Sequence, residues 1–190
     1  MVTGESPAIT SAESTPAGIA LGSNLGDRLE NLRRARALLC ALPGVRAGSC
    51  ESAPVFETAP VGCEPGAADF FNTVVAVQID PSVAPQNFLA RLRAIEIQLG
   101  RPAENLRARN VSRVIDLDLL YLGDSVLATP TLTLPHPRVS QRRFVLAPLA
   151  ALRPHLILPG QRANVAALLA ALGPAETDDA AAVRLVAAHW

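Results

Sequence analysis

The sequence predicts an α+β domain, because strand and helix patterns alternate along its 190 residues. Two helix patterns interrupt the strand patterns, two strand patterns lie between those helices, and one more follows the second helix. This is the βαββαβ order of a ferredoxin-like sandwich. Additional strand and helix patterns follow towards the C-terminus.

The ends of the chain differ in composition from its middle. Residues 1–16 are small, polar and proline-bearing, and we expect a disordered extension, with order beginning at Gly18. Residues 17–173 are expected to form one domain, because 190 residues are enough for one core and too few for two. For the acidic, alanine-rich segment 174–190, the sequence does not define any element.

The first strand and helix are predicted by an apolar run and by helix-end signals. GIALG (18–22) indicates a buried strand. Asp27 and Glu30 form a capping box at the start of a helix, and Pro43 with the following glycine ends it. One face of this helix is expected to carry four leucines: Leu25, Leu29, Leu32 and Leu39.

The next elements are two extended runs and a second helix. Residues 45–58 and 70–80 read as strands that are expected to pair. Pro85 at a first-turn position and Gly100 just past the end mark the helix. Its apolar side chains recur at helical spacing: Phe88, Leu92, Ile95 and Leu99.

The strand pattern RVIDLDLLYLGD (113–124) carries two carboxylates, Asp116 and Asp118. Alternation places both acids on one face with Leu120, and four side chains on the other: Ile115, Leu117, Leu119 and Tyr121. About 6.6 Å of strand rise separates the acids, so both can reach one cation or a pair of cations. Two unpaired buried anions are costly, so we expect positive charge between them. A half-exposed strand whose wet face carries two acids remains the alternative.

Beyond that strand, two further elements are predicted. The segment LATPTLTLP (127–135) indicates a short strand or hairpin, and residues 163–173 indicate a last helix with Asn164 as its cap.

The basic residues favour anion binding at specific places. The formal net charge is zero, which argues against a nucleic-acid partner, but residues 125–175 contain five arginines and no Asp or Glu. All seventeen basic residues are arginine, which excludes lysine Schiff-base and phosphate-loop lysine chemistry. The loop before the Asp strand carries four of them against one acid: Arg101, Arg107, Arg109 and Arg113 against Glu104. Guanidinium groups beside paired carboxylates indicate a site for a magnesium-bound polyphosphate, although a solvated loop is the alternative for any single arginine.

Two further clusters are candidate binding residues. His136 lies between two prolines and is followed by Arg138, Arg142 and Arg143, which favours an anion contact over a plain surface histidine. Phe70 and Asn72 share a strand face, where an aromatic plane and an amide suit a flat nitrogen heterocycle. A core role for this phenylalanine is the alternative.

The cysteines and the hydropathy indicate the compartment. Cys40, Cys50 and Cys63 show no CxxC spacing, so neither a zinc site nor a disulfide framework is indicated and a reducing compartment fits. No run approaches the roughly 18 apolar residues of a membrane span. We expect a cytoplasmic protein with no membrane partner.

Six segments together resemble the 6-hydroxymethyl-7,8-dihydropterin pyrophosphokinase family of folate biosynthesis. They lie in the family's order across residues 18 to about 158: GIALGSNLGDRLENL, ETAPVG, DFFNTVV, IEIQLGR, RVIDLDLLYLGD and LPHPRVSQRRFVLAPL. The most specific is the DLD segment followed by HPRxxxRxF. The resemblance implies a ferredoxin-like fold and transfer of pyrophosphate from ATP to the pterin hydroxymethyl group, releasing AMP.

The same resemblance implies roles for individual residues. Asp116 and Asp118 would hold two Mg²⁺ ions, and Asp116 would also face the attacking hydroxyl. Arg101 and Arg113 would close over the phosphates. Further ATP contacts are implied for His136, Arg142 and the backbone at Leu119 and Thr133. Pterin contacts are implied for Phe70, Phe144, Asn72 and the backbone at Thr58 and Val61.

The resemblance also implies a monomer whose product passes to dihydropteroate synthase. The loop RNVSRVIDLD differs from the family's usual RWGPRTLDLD: it is longer and it lacks the tryptophan.

Three other classes of protein share parts of this pattern. A polymerase-β-like nucleotidyltransferase would carry its Gly-Ser pair close before the acids, whereas Gly22 and Ser23 lie more than ninety residues before Asp116. A glycosidase would want a sugar-stacking groove, which one Trp and one Tyr do not indicate. A ferredoxin-like module that binds ATP without turnover stays open.

Overall fold

The computed structural model describes residues 14–60, 65–102, 112–173 and 183–190. In these ranges the strands are β1 (Thr15–Ser23), β2 (Glu51–Ser52), β3 (Val55–Thr58), β4 (Phe70–Ile79), β5 (Asp116–Leu122), β6 (Leu127–Ala128), β7 (Thr133–Leu134) and β8 (Val183–Ala187). The helices are α1 (Arg28–Cys40), α2 (Pro85–Gln98), α3 (Arg143–Leu152) and α4 (Val165–Ala171).

The main sheet has the strand order β5-β1-β4-β3-β8, and β2 also pairs with β4. Every pairing in it is antiparallel. The four strands predicted from the sequence lie in the ferredoxin-like order, with the first and third in the middle, so the predicted fold class is confirmed. The predicted pairing of residues 45–58 with 70–80 and the β6–β7 hairpin are also present.

Most predicted element ends agree with the structure. The Asp27 carboxylate caps α1 by accepting the Glu30 N–H, and Pro85 opens α2. Gly100 follows α2 with a φ of +99°, a conformation that favours glycine. Asn164 caps α4 as predicted.

Two expectations about the first elements differ from the structure. Strand β1 begins at Thr15, which pairs with Ile79, so order starts before Gly18. Residues 1–13 lie outside the described ranges, and the extension there stays a prediction. Leu25 does not lie on the α1 face but precedes the helix, where it is 49% exposed. The prediction for Leu25 is wrong because the N-cap falls at Asp27.

The two faces of the sheet carry separate hydrophobic clusters. One packs under α1 and α2 and includes Ile19, Leu32 and Phe88. The other packs under α3 and α4 and includes Leu120 and Tyr121. The predicted grouping of Tyr121 with Ile115 is therefore wrong. The β1–β5 register shifts between Gly18 and Ile19, so an extra β5 residue at Leu120 reverses the alternation beyond it.

Helix α3 and strand β8 were not predicted. α3 contains Pro148 and has no side-chain cap, so its strongest local signal is one that breaks helices. β8 is a five-residue strand that pairs with the edge of β3. Both elements depend on tertiary contacts more than on local pattern.

Cys40 at the end of α1 and Cys50 before β2 are joined by a disulfide, with their Cα atoms 6.0 Å apart. The expectation that no disulfide is indicated is wrong for this pair. The chain reverses after α1 and Val45 bridges to Ile79, which brings the two cysteines together in a way that their spacing does not reveal. The cysteines therefore give no support to the expected reducing compartment. In the described ranges, no helix has the length and apolar composition of a membrane span.

The Tyr121 ring leaves no room for a side chain at Gly18. A Cβ there would lie 2.2 Å from Cε1 of Tyr121. We expect Gly18→Ala to lower the free energy of unfolding by about 1–3 kcal/mol through overpacking, measured by urea denaturation. In a Tyr121→Leu background the loss should be smaller. An equal loss in both backgrounds would contradict the contact.

Candidate active site

The candidate site lies where three adjacent strands carry Asp116, Gly22 and Asn72 side by side. Gly22 on β1 is paired with Asp116 on β5 and with Asn72 on β4. A Cβ at Gly22 would lie 2.9 Å from Oδ1 of Asn72 and 3.7 Å from a ring carbon of Phe70. The missing side chain at Gly22 makes room for the Asn72 amide. The buried Gly22 backbone, here called the Gly22 floor, thus lies between the carboxylate of β5 and the amide of β4.

Asp116 is held by two arginines. Arg101 donates to its Oδ1, and Nη1 of Arg113 lies 2.8 Å from its Oδ2. Arg101 also donates to the buried carboxylate of Glu96, which accepts the Leu117 N–H at 2.8 Å. Glu96 therefore fixes both Arg101 and the backbone of β5 next to the acid.

Asp118 is less tightly compensated than Asp116. Nη1 of Arg142 lies 3.6 Å and Nε2 of His136 lies 4.0 Å from its Oδ2, both beyond hydrogen-bond distance. Its side chain is 41% exposed. The Asp118 carboxylate thus accepts no hydrogen bond from either of these side chains and is partly exposed to solvent.

The pKa values of the two acids are shifted in opposite directions. Burial would raise the pKa of Asp116, but Arg101 and Arg113 outweigh it and the pKa lies below its usual value. Burial and the neighbouring charge of Asp116 raise the pKa of Asp118 to about 6. This is the behaviour of two like charges in one site, of which Asp116 is the one that accepts hydrogen bonds from two arginines.

This shift predicts a pH dependence of stability in the metal-free protein. The native state keeps a proton on Asp118 up to about pH 6, whereas the unfolded carboxyl loses it near 3.8. The contribution of Asp118 to the free energy of unfolding should therefore fall as the pH rises between these values. Urea denaturation of the wild type and of Asp118→Asn across this range checks it, because the difference between them isolates this group. A constant difference would contradict the shift.

His136 is fixed in position and in charge. Its backbone N–H donates to the Leu120 carbonyl at 2.8 Å, and its ring Nδ1 accepts a hydrogen bond from the backbone N–H of Arg138 at 3.2 Å. Burial, followed by the charges of Arg142 and Arg138, lowers the pKa of His136 to about 4. At neutral pH the ring is uncharged with its proton on Nε2, so it can donate one hydrogen bond towards the site.

The aromatic side of the site lies across the Gly22 floor. The Arg113 guanidinium lies 5.3 Å from the Phe70 ring centroid, and that of Arg142 lies 5.4 Å from the Phe144 centroid. Asn72 is almost buried and donates to Oγ1 of Thr58 at 2.7 Å. The side-chain amide oxygen of Asn72, Oδ1, is the atom beside Gly22, so this amide presents a hydrogen-bond acceptor to the Gly22 floor.

The structure brings together most of the predicted site residues. The carboxylates, Arg101, Arg113, Arg142 and His136 surround one end of β5, with Phe70 and Asn72 beside them. Leu119 and Thr133 lie on β5 and β7, which run next to each other. Val61 lies outside the described residues, as do Arg107 and Arg109.

Sequence reasoning missed three residues of the site. Glu96 is a buried acid inside a predicted helix, and Gly22 is a glycine inside a strand, which is itself a signal of close backbone approach. Asn24 is buried and joins three segments. It donates to the Ala68 carbonyl and to Ser112 Oγ, and its Oδ1 accepts the Arg113 N–H at 2.7 Å. No sequence pattern marks that role.

Among the described residues, no group of three or more His, Cys, Asp or Glu side chains could hold a metal ion. A cation at Asp116 and Asp118 would therefore need further oxygen ligands from a bound substrate or from water. Mg²⁺ is typically bound in this way, through one or two carboxylates and substrate phosphates.

Comparison with known proteins shows which family the chain is similar to. A family model described as 7,8-dihydro-6-hydroxymethylpterin-pyrophosphokinase (HPPK) matches residues 18–154. The 2-amino-4-hydroxy-6-hydroxymethyldihydropteridine pyrophosphokinase of Bacillus subtilis is 44% identical over 132 residues, covering 70% of this chain and 74% of the relative. The protein of that name from Pseudomonas aeruginosa is 38% identical over 156 residues, covering 80% and 89%.

Solved structures are similar in fold at low sequence identity. The crystal structure of Plasmodium falciparum HPPK-DHPS with pterin and p-hydroxybenzoate superimposes with a TM-score of 0.61 at 14% identity. The match covers 84% of this chain and 43% of that chain. The present chain thus spans less than half the length of that protein.

Proposed function

Because the chain belongs to the 7,8-dihydro-6-hydroxymethylpterin-pyrophosphokinase family, we propose how the residues of its site carry out the family's reaction. That reaction transfers pyrophosphate from ATP to 6-hydroxymethyl-7,8-dihydropterin and gives the pterin diphosphate and AMP in folate synthesis. The observation that carries the proposal is the arrangement around Gly22, with an acid pair and four cationic or donor groups on one side and an amide with an aromatic ring on the other.

The acid pair would hold magnesium. Carboxylate oxygens suit this hard cation. The Asp118 carboxylate is partly exposed, and its raised pKa shows that a nearby positive charge would stabilise its ionised form. We assign two ions, bound by Asp116 and Asp118 together with the phosphates of ATP. When bound, magnesium neutralises the charge that develops on the phosphate oxygens.

Arg101 and Arg113 would exchange partners when ATP binds. Both are engaged with Asp116, and the buried Nε of Arg113 has no hydrogen-bond partner among the described residues. A phosphate oxygen would satisfy that donor. The proposed exchange from carboxylate to phosphate leaves Asp116 free for its ligand role and brings two guanidinium groups onto the transferred group.

The remaining ATP contacts follow β5 and the segment after β7. Arg142 and the neutral, donating Nε2 of His136 would bind phosphate oxygens. Backbone groups at Leu119 and Thr133 would lie along the adenine. The hydrogen bond from His136 N to Leu120 O supports this placement, because it ties the segment after β7 to β5.

The pterin would lie on the Gly22 floor. Phe70 and Phe144 would stack on the two faces of the ring, and Asn72 would pair with its polar edge. The hydrogen bond to Thr58 supports a fixed Asn72, because it determines which end of the amide faces the ligand. Backbone groups at Thr58 and Val61 would complete the edge.

Catalysis would then rest on positioning and electrostatic stabilisation. The site holds the hydroxymethyl oxygen of the pterin in line with the β-phosphorus of ATP, and the arginines stabilise the charge on the departing AMP. No residue needs to form a covalent intermediate. Arg101 and Arg113 would help to exclude water from the phosphates and so limit hydrolysis of ATP; residues 103–111 between them lie outside the described residues.

The setting of the enzyme is also part of the proposal. Some relatives carry the pyrophosphokinase and DHPS in one chain. We propose that this chain acts as a monomer in the cytoplasm and that its product passes to a separate dihydropteroate synthase.

Product analysis tests the proposed function. Purified protein incubated with 6-hydroxymethyl-7,8-dihydropterin and Mg²⁺-ATP should release AMP in step with loss of the pterin. The products are separated by ion-exchange chromatography, and omission of the pterin serves as the control. Release of ADP, or no turnover at all, would contradict the proposal and favour a module that binds ATP without transferring phosphate.

A further inference from the structure

Residues 183–190, here called the C-terminal strap, extend the sheet next to the proposed pterin site. β8 pairs with β3, and Val183 lies opposite Thr58 in that pairing. The family match ends at residue 154, so the strap lies outside the part of the chain that the family model describes. The described strap residues are nevertheless anchored to the domain at both ends.

The first anchor is a chain of ion pairs through Glu57. Arg184 donates to Oε2 of Glu57, and Arg28 Nη1 lies 3.0 Å from its Oε1. The Glu57 side chain is only 14% exposed and that of Arg28 is 27% exposed, whereas the Arg184 side chain is 75% exposed and reaches the carboxylate from the solvent side.

Arg28 carries this connection to the start of β4. Its Nη1 donates to the Asp69 carbonyl at 2.7 Å, and its guanidinium lies 3.8 Å from the Phe71 ring centroid. Asp69 is the residue before Phe70, and Asn72 follows two residues later. The strap is thus linked through two side chains to the backbone that presents the pterin-binding residues.

The second anchor is the terminal tryptophan. Nε1 of Trp190 donates to the Ala53 carbonyl at 2.7 Å, and Nη1 of Arg36 donates to the Trp190 carbonyl at the same distance. The ring packs against the cluster under α1 and α2. Fixed at both ends, the strap contacts the segment 53–58, which contains β3 (Val55–Thr58), on the side away from β4.

We propose that the C-terminal strap is a positioning element for pterin recognition. By holding Thr58 and the start of β4, it keeps the Thr58–Asn72 hydrogen bond and the Phe70 ring in place for the substrate. Within the part of the chain that the structure describes, the hydrogen bonds and ion pairs given above for the strap do not involve the residues assigned to ATP. The inference rests on the proposed function and adds a specificity role to a segment beyond the family match.

Two variants test this role in the full assay. The first ends at residue 182, and the second is Arg184→Ala; Arg162→Ala, an exposed arginine far from the strap in sequence, is the matched control. We expect the pterin KM to rise about tenfold in the shortened chain and about threefold in Arg184→Ala, with the ATP KM and kcat within about twofold of the wild type. The control should match the wild type.

The competing explanation is that the strap only covers the edge of the sheet. In that case the melting temperature would fall while both KM values stayed unchanged, and this result would overturn the inference. An equal rise of both KM values would overturn it as well. If the shortened chain does not fold, Arg184→Ala decides alone, and an unaltered pterin KM rejects the role. Wild-type AMP formation in the same assay shows separately whether the proposed function holds.

Discussion

Replacing Asp118 with alanine should lower kcat by a factor of about a thousand or more. Asp118 carries the more exposed carboxylate of the pair, and neither Arg142 nor His136 lies within hydrogen-bond distance of it. Its loss removes a proposed magnesium ligand and the ion pair with Arg142, but no hydrogen bond to either of these two side chains. Turnover is measured as AMP release at saturating substrates.

The fold should tolerate this change. Because the wild-type carboxylate has a raised pKa, its removal takes away an unfavourable charge, and the melting temperature should stay equal or rise slightly. Asp124→Ala is the matched control, since Asp124 is exposed just beyond the same strand. Activity near the wild-type level in Asp118→Ala at ordinary magnesium concentrations would refute the ligand assignment.

Replacing Arg113 with alanine should lower kcat by about a hundredfold to a thousandfold and change pterin affinity much less. Arg113 contacts Asp116 in the free protein and has a spare buried donor, so its main proposed partner forms only with the nucleotide. Rapid-quench measurement of AMP formation gives the transfer rate, and calorimetry gives the pterin affinity.

Lysine and a distant arginine provide the controls for Arg113. Arg113→Lys keeps the charge but loses the paired geometry of the guanidinium, so it should recover only part of the rate. Arg162→Ala, with Arg113 intact, should keep the wild-type rate. Equal losses of transfer rate and of pterin affinity in Arg113→Ala would argue that the residue shapes the pterin site instead.

The fold class could be predicted because each local signal agreed with the sheet. The capping box at Asp27, the proline at the start of α2 and the valine-rich β4 each point to the element that forms. The prediction failed where tertiary contacts override local pattern. Pro148 lies inside α3, and the extra residue at Leu120 turns Tyr121 to the other face of the sheet.

The site divides in the same way. The acid pair and the arginines around it could be identified, because charged residues on a strand and in one loop need a partner. The connections between segments could not be identified. Asn24 joins Ala68, Ser112 and Arg113 over more than forty positions of sequence, and Glu96 stabilises Arg101 from within a helix. A single sequence carries no record of which residues meet across such separations.

The proposed mechanism requires that the acid pair binds divalent cations, so that the arginines can bind a triphosphate beside the pterin. Titration calorimetry of a non-hydrolysable ATP analogue, with and without Mg²⁺, measures this directly. We expect nucleotide binding to strengthen by at least about tenfold with Mg²⁺ in the wild type, and the gain to disappear when Asp116 and Asp118 are both changed to alanine. The same affinity with and without Mg²⁺ in the wild type would contradict the account.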